Sequence, residues 1–169
     1  MQRSLSRLAT AAFVATVVGL PLAVAQSPAP APQRAAAAKT PAKPTAVVVH
    51  RLAIQVNENR PESMNLALNN AKNVLDHYKA KGEKAEIEIV TYGPGLHMLR
   101  DDTSPVKVRI AEMSLAEPTL KFIACANTHA NQSKAEQKPV TLVSEAQMAP
   151  SGVVRLMELQ RQGYAYVRP

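Results

Sequence analysis

The chain has 169 residues, with 20 Lys and Arg against 13 Asp and Glu, no Trp and a single Cys. Its formal charge of +7 would suit a polyanionic partner, but the first 46 residues hold five of the bases and no acid. Residues 47–169 carry 15 bases and 13 acids without an aromatic-basic interleaf, which argues against nucleic-acid binding, and one cysteine excludes an intrachain disulfide framework.

At the N-terminus, Arg3 and Arg7 precede an apolar run at 8–22, and Ala23-Val24-Ala25 supplies the small-x-small pattern of a signal-peptidase site. The run falls short of the roughly 20 residues that a membrane-spanning helix needs. Residues 1–25 therefore read as a cleavable signal peptide, with the periplasm as destination and no stable membrane insertion after cleavage. Residues 26–46 alternate Pro and Ala, a composition that buries no core and predicts a disordered tether. Residues 47–169 remain as one α/β domain, long enough for a single core.

Residues 47–56 are β-prone and apolar on both parities, as in a strand covered on both faces. Met64, Ala67, Leu68, Ala71, Leu75 and Tyr78 then repeat at helical spacing, with Pro61 in the first turn and Gly82 as a stop. A second strand at 85–92 alternates Glu86 and Glu88 with Ile87 and Ile89, which predicts one wet face and a place near the sheet edge. Tyr92-Gly93-Pro94-Gly95 makes a sharp turn, followed by a short helical turn at 96–100. A helix at 104–116 should face Val106, Ile110, Met113 and Leu115 inward.

Residues 119–126 read as a central strand, 127–137 as a short polar helix and 140–143 as a small fourth strand. A last helix opens at Pro150 or Ser151 with Val153, Leu156, Met157 and Gln160 on one face. Gly163 closes it before a short strand at 164–167. Strands alternating with helices predict a three-layer α/β sandwich with a mainly parallel sheet of about five strands.

In such sheets ligands bind beyond the carboxyl ends of the strands, here the loops at 57–60, 92–96 and 125–131. Cys125 lies where the third strand hands over to a polar helix, whose positive dipole end favours thiolate. An exported protein normally pairs its cysteines. An unpaired one is either a buried small hydrophobe or a thiol kept for chemistry or for another chain. The catalytic candidate is Cys125, expected to be uncovered at the lip of the sheet. Asn127, Thr128 and His129 would shape its pocket, with His129 assisting if protonated, and Gly93, Gly95 and His97 would form the rim. The Gly93-Pro94-Gly95 turn lacks the Lys-Ser/Thr of a phosphate loop. Cys125 and His129, with His97 and His50 elsewhere, could hold copper or zinc, but no CxxC or HxxxH is present, so a periplasmic metal-binding protein is the least favoured reading and no metal or cofactor is assigned.

Asn65-Leu66-Ala67-Leu68-Asn69-Asn70-Ala71, the Tyr92-Gly93-Pro94-Gly95 turn, Cys125-Ala126-Asn127-Thr128, and the ending from Pro150-Ser151-Gly152 through Gly163-Tyr164-Ala165-Tyr166 together resemble the DsrE/DsrF-like family. The resemblance spans 47–169. It implies a small parallel α/β fold, assembly into homo- or hetero-oligomers, and kinship with sulfur-relay proteins that carry sulfur as a persulfide on one cysteine, at the position of Cys125. The expected function is an exported, sulfurtransferase-like carrier without a cofactor, partnered by a sulfur donor or acceptor protein. The competing expectation is an oligomeric binding or scaffold module whose cysteine is a core residue.

Overall fold

Every strand of the protein reaches the next through a helical crossover. In the computed structural model, which describes residues 48–169, β1 (Val49–Val56) leads to α1 (Pro61–Ala80) and β2 (Lys84–Thr91). A 3-10 helix (Gly93–Leu99), α2 (Lys107–Ala116) and β3 (Leu120–Cys125) follow. The chain ends with α3 (Ala126–Glu136), β4 (Ala146–Ala149), α4 (Gly152–Arg161) and β5 (Ala165–Val167). The five strands form one sheet in the order β4-β3-β2-β1-β5, and every pair is parallel. The expected leader at 1–25 and tether at 26–46 lie outside the described residues.

Strands β1 to β4 step in one direction across the sheet, and the chain then returns past β1 to lay down β5. Crossovers are right-handed, so the outward steps send α1, α2 and α3 to one face and the return sends α4 to the other. The period of two along a strand then sorts the core into two layers. Leu52, Ile54, Ile87, Ile89 and Phe122 pack under Met64, Leu68 and Ile110 on the first face. Ala53, Val90, Ile123 and Ala149 pack under Leu156 and Leu159 on the second. The architecture is an α/β sandwich with helices on both faces. Among the described residues no helix is long and apolar enough to cross a membrane.

The alternating charges of the second strand do not mark an edge, because β2 is the middle strand. Its acidic residues look toward the face that α4 covers alone. There Glu88, 3 % exposed, receives both arms of the Arg155 guanidinium at 2.8 and 2.6 Å, while Glu86 meets Arg51 at 3.1 Å. Glu86 and its partner stay in water, as the pattern implied, while at Glu88 a partnered charge replaces it.

The fourth strand forms at Ala146–Ala149 and not at 140–143. Val140 and Val143 are buried, but their segment straps the end of the 3-10 helix: Val143 N–H donates to the Leu99 carbonyl, and Leu142 bridges antiparallel to Arg100. Leu115 is exposed, and α4 buries Gly152, Leu156 and Leu159 while Val153 and Met157 face out.

Gly95 is a packing glycine, contrary to its expected place on a pocket rim. A Cβ there would lie 2.2 Å from the Val56 carbonyl oxygen and 2.7 Å from the Asn57 Cα. Neither neighbour is a flexible side-chain end that can swing aside. Gly95→Ala should therefore destabilise the protein by about 3 kcal/mol, read as a lower midpoint of urea unfolding at unchanged slope.

Candidate functional site

The reversal of strand order creates the site. β3 feeds α3 on one face and β4 feeds α4 on the other, so the two connections diverge above the carboxyl ends of neighbouring strands. Such a switch point is where open α/β sheets hold ligands. Cys125, the last residue of β3, pairs with Ala149, the last of β4. Gly152, the first residue of α4, approaches so closely that a Cβ on it would lie 3.3 Å from the Cys125 Cβ. Two helix N-termini thus converge on one sulfur.

Cys125 occupies the N-cap of α3. The first-turn N–H groups of a helix have no intrahelical acceptor, and here those of Asn127 and Thr128 face the sulfur, joined by the Gly152 N–H and the Thr128 hydroxyl. No conventional side-chain capping bond forms at this N-cap; the contact is the attraction of a large, soft atom by oriented dipoles. Burial pushes the thiol up, but the Thr128 hydroxyl and the three N–H groups outweigh it, and the net pKa falls below the ordinary thiol value.

The direction of the Thr128 hydroxyl follows from its neighbours. Its oxygen accepts the Gly93 N–H at 3.0 Å, which leaves its single hydrogen free of that contact, and the hydroxyl is the group that lowers the thiol pKa most. Gly93 holds a φ of +53°, in the region that glycine enters without strain. Its carbonyl accepts the Gln132 side-chain amide at 3.2 Å. The predicted turn therefore acts on the thiol through Thr128.

Among the predicted site residues, Cys125, Asn127, Thr128 and Gly93 come together, Asn127 through its backbone. His129 does not join them: its Nε2–H donates to the Val140 carbonyl at 2.7 Å and fastens the loop before β4. His97 lies in the 3-10 helix and takes no part in the contacts to the sulfur. The thiol is not uncovered, since Cys125 is 4 % exposed. The first turn of α4 closes against it, and Tyr92 packs on that turn, its Cβ and Cδ1 each 3.0 Å from where a Cβ on Gly152 would lie. Gly152, Tyr92 and Gln132 went unpredicted. The helix start at Pro150-Ser151-Gly152 was legible, but its place beside Cys125 depends on strand order.

Arg100 anchors the far end of α3. Its guanidinium grips both Asp102 oxygens, at 2.9 and 2.8 Å, and both oxygens of Glu136, the last residue of α3. Hydrogen bonds from Arg100 hold both carboxyls below their usual range. Depressed acids stabilise the fold above their unfolded pKa, about 4, and that contribution fades as pH falls through the folded values. Among the described residues no three His, Cys, Asp or Glu side chains gather as a metal-ligand set.

No family model and no curated protein matches the chain. By structure it is similar to a protein of unknown function from Methanobacterium thermoautotrophicum, with a TM-score of 0.59 and 27 % identity. The match covers 71 % of this chain and 99 % of that one. This likeness supports the parallel α/β architecture and carries no statement of activity.

Proposed function

We propose that the protein handles sulfur through Cys125, as an exported carrier related to the DsrE/DsrF-like proteins. The observation that carries this reading is the convergence of two helix N-termini on one sulfur at the switch point, with the backbone N–H groups and the Thr128 hydroxyl lowering its pKa. Such donors serve both halves of a transfer. The Cys125 thiolate attacks the outer sulfur of a persulfide, R–S–SH. A new S–S bond forms, the old one breaks, and its electron pair leaves on R–S⁻. In the second half an acceptor thiolate attacks the outer sulfur of the Cys125 persulfide, and Cys125 departs as the thiolate that the same N–H groups favour. No external oxidant or reductant is needed. The leader at 1–25 would place this chemistry in the periplasm. Exposed Val153, Val154 and Met157 on α4 are the surface through which copies or related subunits would associate.

Exposure to inorganic polysulfide should add sulfur to the intact full-length protein, seen by mass spectrometry, on Cys125 and not in Cys125→Ser. A native thiol that alkylates yet takes up no sulfur would sink the reading.

The 4 % exposure of Cys125 favours a second reading, a binding module whose cysteine is a core residue. It requires that Cys125 react with a thiol reagent only after denaturation.

A further inference from the structure

A sulfur that takes up another sulfur must be reached by its donor, yet Cys125 is 4 % exposed. Some part of its surroundings therefore moves in every transfer. Most of them are tied down. β3, which ends in Cys125, is paired on both sides, with β2 and with β4. α3 begins at the next residue and is fastened along its length, by His129 to the Val140 carbonyl at 2.7 Å and by Glu136 to Arg100 at 3.0 Å. At the end of β2, the Tyr92 N–H donates to the Val56 carbonyl at 3.3 Å, and the Tyr92 carbonyl accepts the Gly95 N–H at 3.1 Å.

The first turn of α4 is held less. From Arg155 onward the helix is anchored, by the guanidinium on Glu88 at 2.8 and 2.6 Å and by buried Leu156 and Leu159. Ahead of Arg155 only Gly152 is buried, and it has no side chain to pack; Val153 and Val154 are 54 % and 48 % exposed. Ser151 stands at the N-cap, but its side chain makes no capping bond, and Pro150 has no N–H to offer. The sheet ladder stops one residue earlier, at Ala149. Few buried contacts and an uncapped end mark a segment that opens at low cost.

We infer that residues 150–154 form a gate over the thiol, which pivots between the last ladder residue, Ala149, and the anchor at Arg155. Closed, it sets the Gly152 backbone against the sulfur-bearing side chain, where a Cβ would lie 3.3 Å from the Cys125 Cβ. Open, it gives up the Arg155 N–H bond to the Ser151 carbonyl, at 2.9 Å, while the Arg155–Glu88 pair stays made. The inference rests on the sulfur-carrier reading and adds how access to that thiol is regulated.

The test is the rate at which iodoacetamide labels Cys125 in the folded full-length protein, followed at urea concentrations well below the unfolding midpoint. Opening one turn exposes little surface, so the rate should stay nearly level as urea rises. Exposure through global unfolding would carry the full slope of the unfolding transition. A second comparison sets Val153→Ala/Val154→Ala against Val153→Gly/Val154→Gly. Both pairs strip the same valine surface, and they differ chiefly in helix propensity, so the glycine pair should label about tenfold faster. A level urea dependence without that gap places the opening elsewhere and overturns the gate alone. Wild-type labelling at the rate of free cysteine does the same, because nothing then covers the thiol. A full unfolding slope makes Cys125 a core residue and overturns the sulfur reading together with the gate.

Discussion

Thr128→Val should slow iodoacetamide alkylation of native Cys125 at neutral pH by about tenfold or more. Valine keeps the shape of threonine and removes the hydroxyl that most lowers the thiol pKa. A hydrogen bond to a charged group is worth about 1.5–3 kcal/mol, or roughly one to two pKa units. Burial, which pushes the thiol up, remains in full. With its strongest opponent gone, the midpoint of the alkylation–pH profile should move upward, past the ordinary thiol value of about 8.5.

The sign for stability follows from linkage. The wild-type thiol ionises below its unfolded value. It therefore adds stability that is fully present above the unfolded pKa and is lost as pH falls through the folded one. Thr128→Val should remove that alkaline gain. It also strands the Gly93 N–H, whose acceptor at 3.0 Å disappears. Thr128→Ser restores the hydroxyl and should restore the profile. Identical pH profiles for wild type and Thr128→Val would show that the backbone donors alone set the thiol, and the assigned role of Thr128 would fail.

Arg155→Ala should destabilise the protein by about 3–5 kcal/mol, the range for breaking a buried ion pair from one side. Glu88 lies on the middle strand at 3 % exposure and receives the Arg155 guanidinium on both oxygens. Removing the cation leaves a carboxylate beneath α4 with neither water nor partner. Most of the loss is the stranded charge and not the pair's own worth, so adding Glu88→Leu should recover much of it. Urea unfolding of both variants checks this. A loss below about 1 kcal/mol for Arg155→Ala would mean that the carboxylate finds water, as exposed pairs do. The pair also seats α4, whose first residue covers Cys125. Arg155→Ala should therefore speed native labelling of the thiol even while the protein remains folded.

The helix at Pro61–Ala80 was legible because its apolar residues repeat at a spacing that only a helix turns to one side. The position of Cys125 at a strand end was legible for a related reason: an apolar run gives way abruptly to Asn127 and Thr128. The place of β2 was not. Glu86 is as wet as it reads, but Glu88 is dry, because local pattern carries no word of a partner 67 residues away, where Arg155 waits. The segment at 140–143 was misplaced on similar grounds. Val140 and Val143 are apolar because they are buried, and the burial comes from strapping the 3-10 helix, not from joining the sheet. His129 had the spacing to reach the thiol, but the Val140 carbonyl claims it.

By itself the sequence determined the alternation of strands and helices, the parallel sheet that such alternation requires, and a solitary thiol at a carboxyl end. These follow from short-range periodicity and the right-handedness of crossovers. Only the tertiary structure decided what surrounds the sulfur. Strand order brings the first turn of α4 against Cys125 and turns Gly93 onto Thr128. A thiol responds to donors within a few ångströms, and those donors come from segments far apart in the chain.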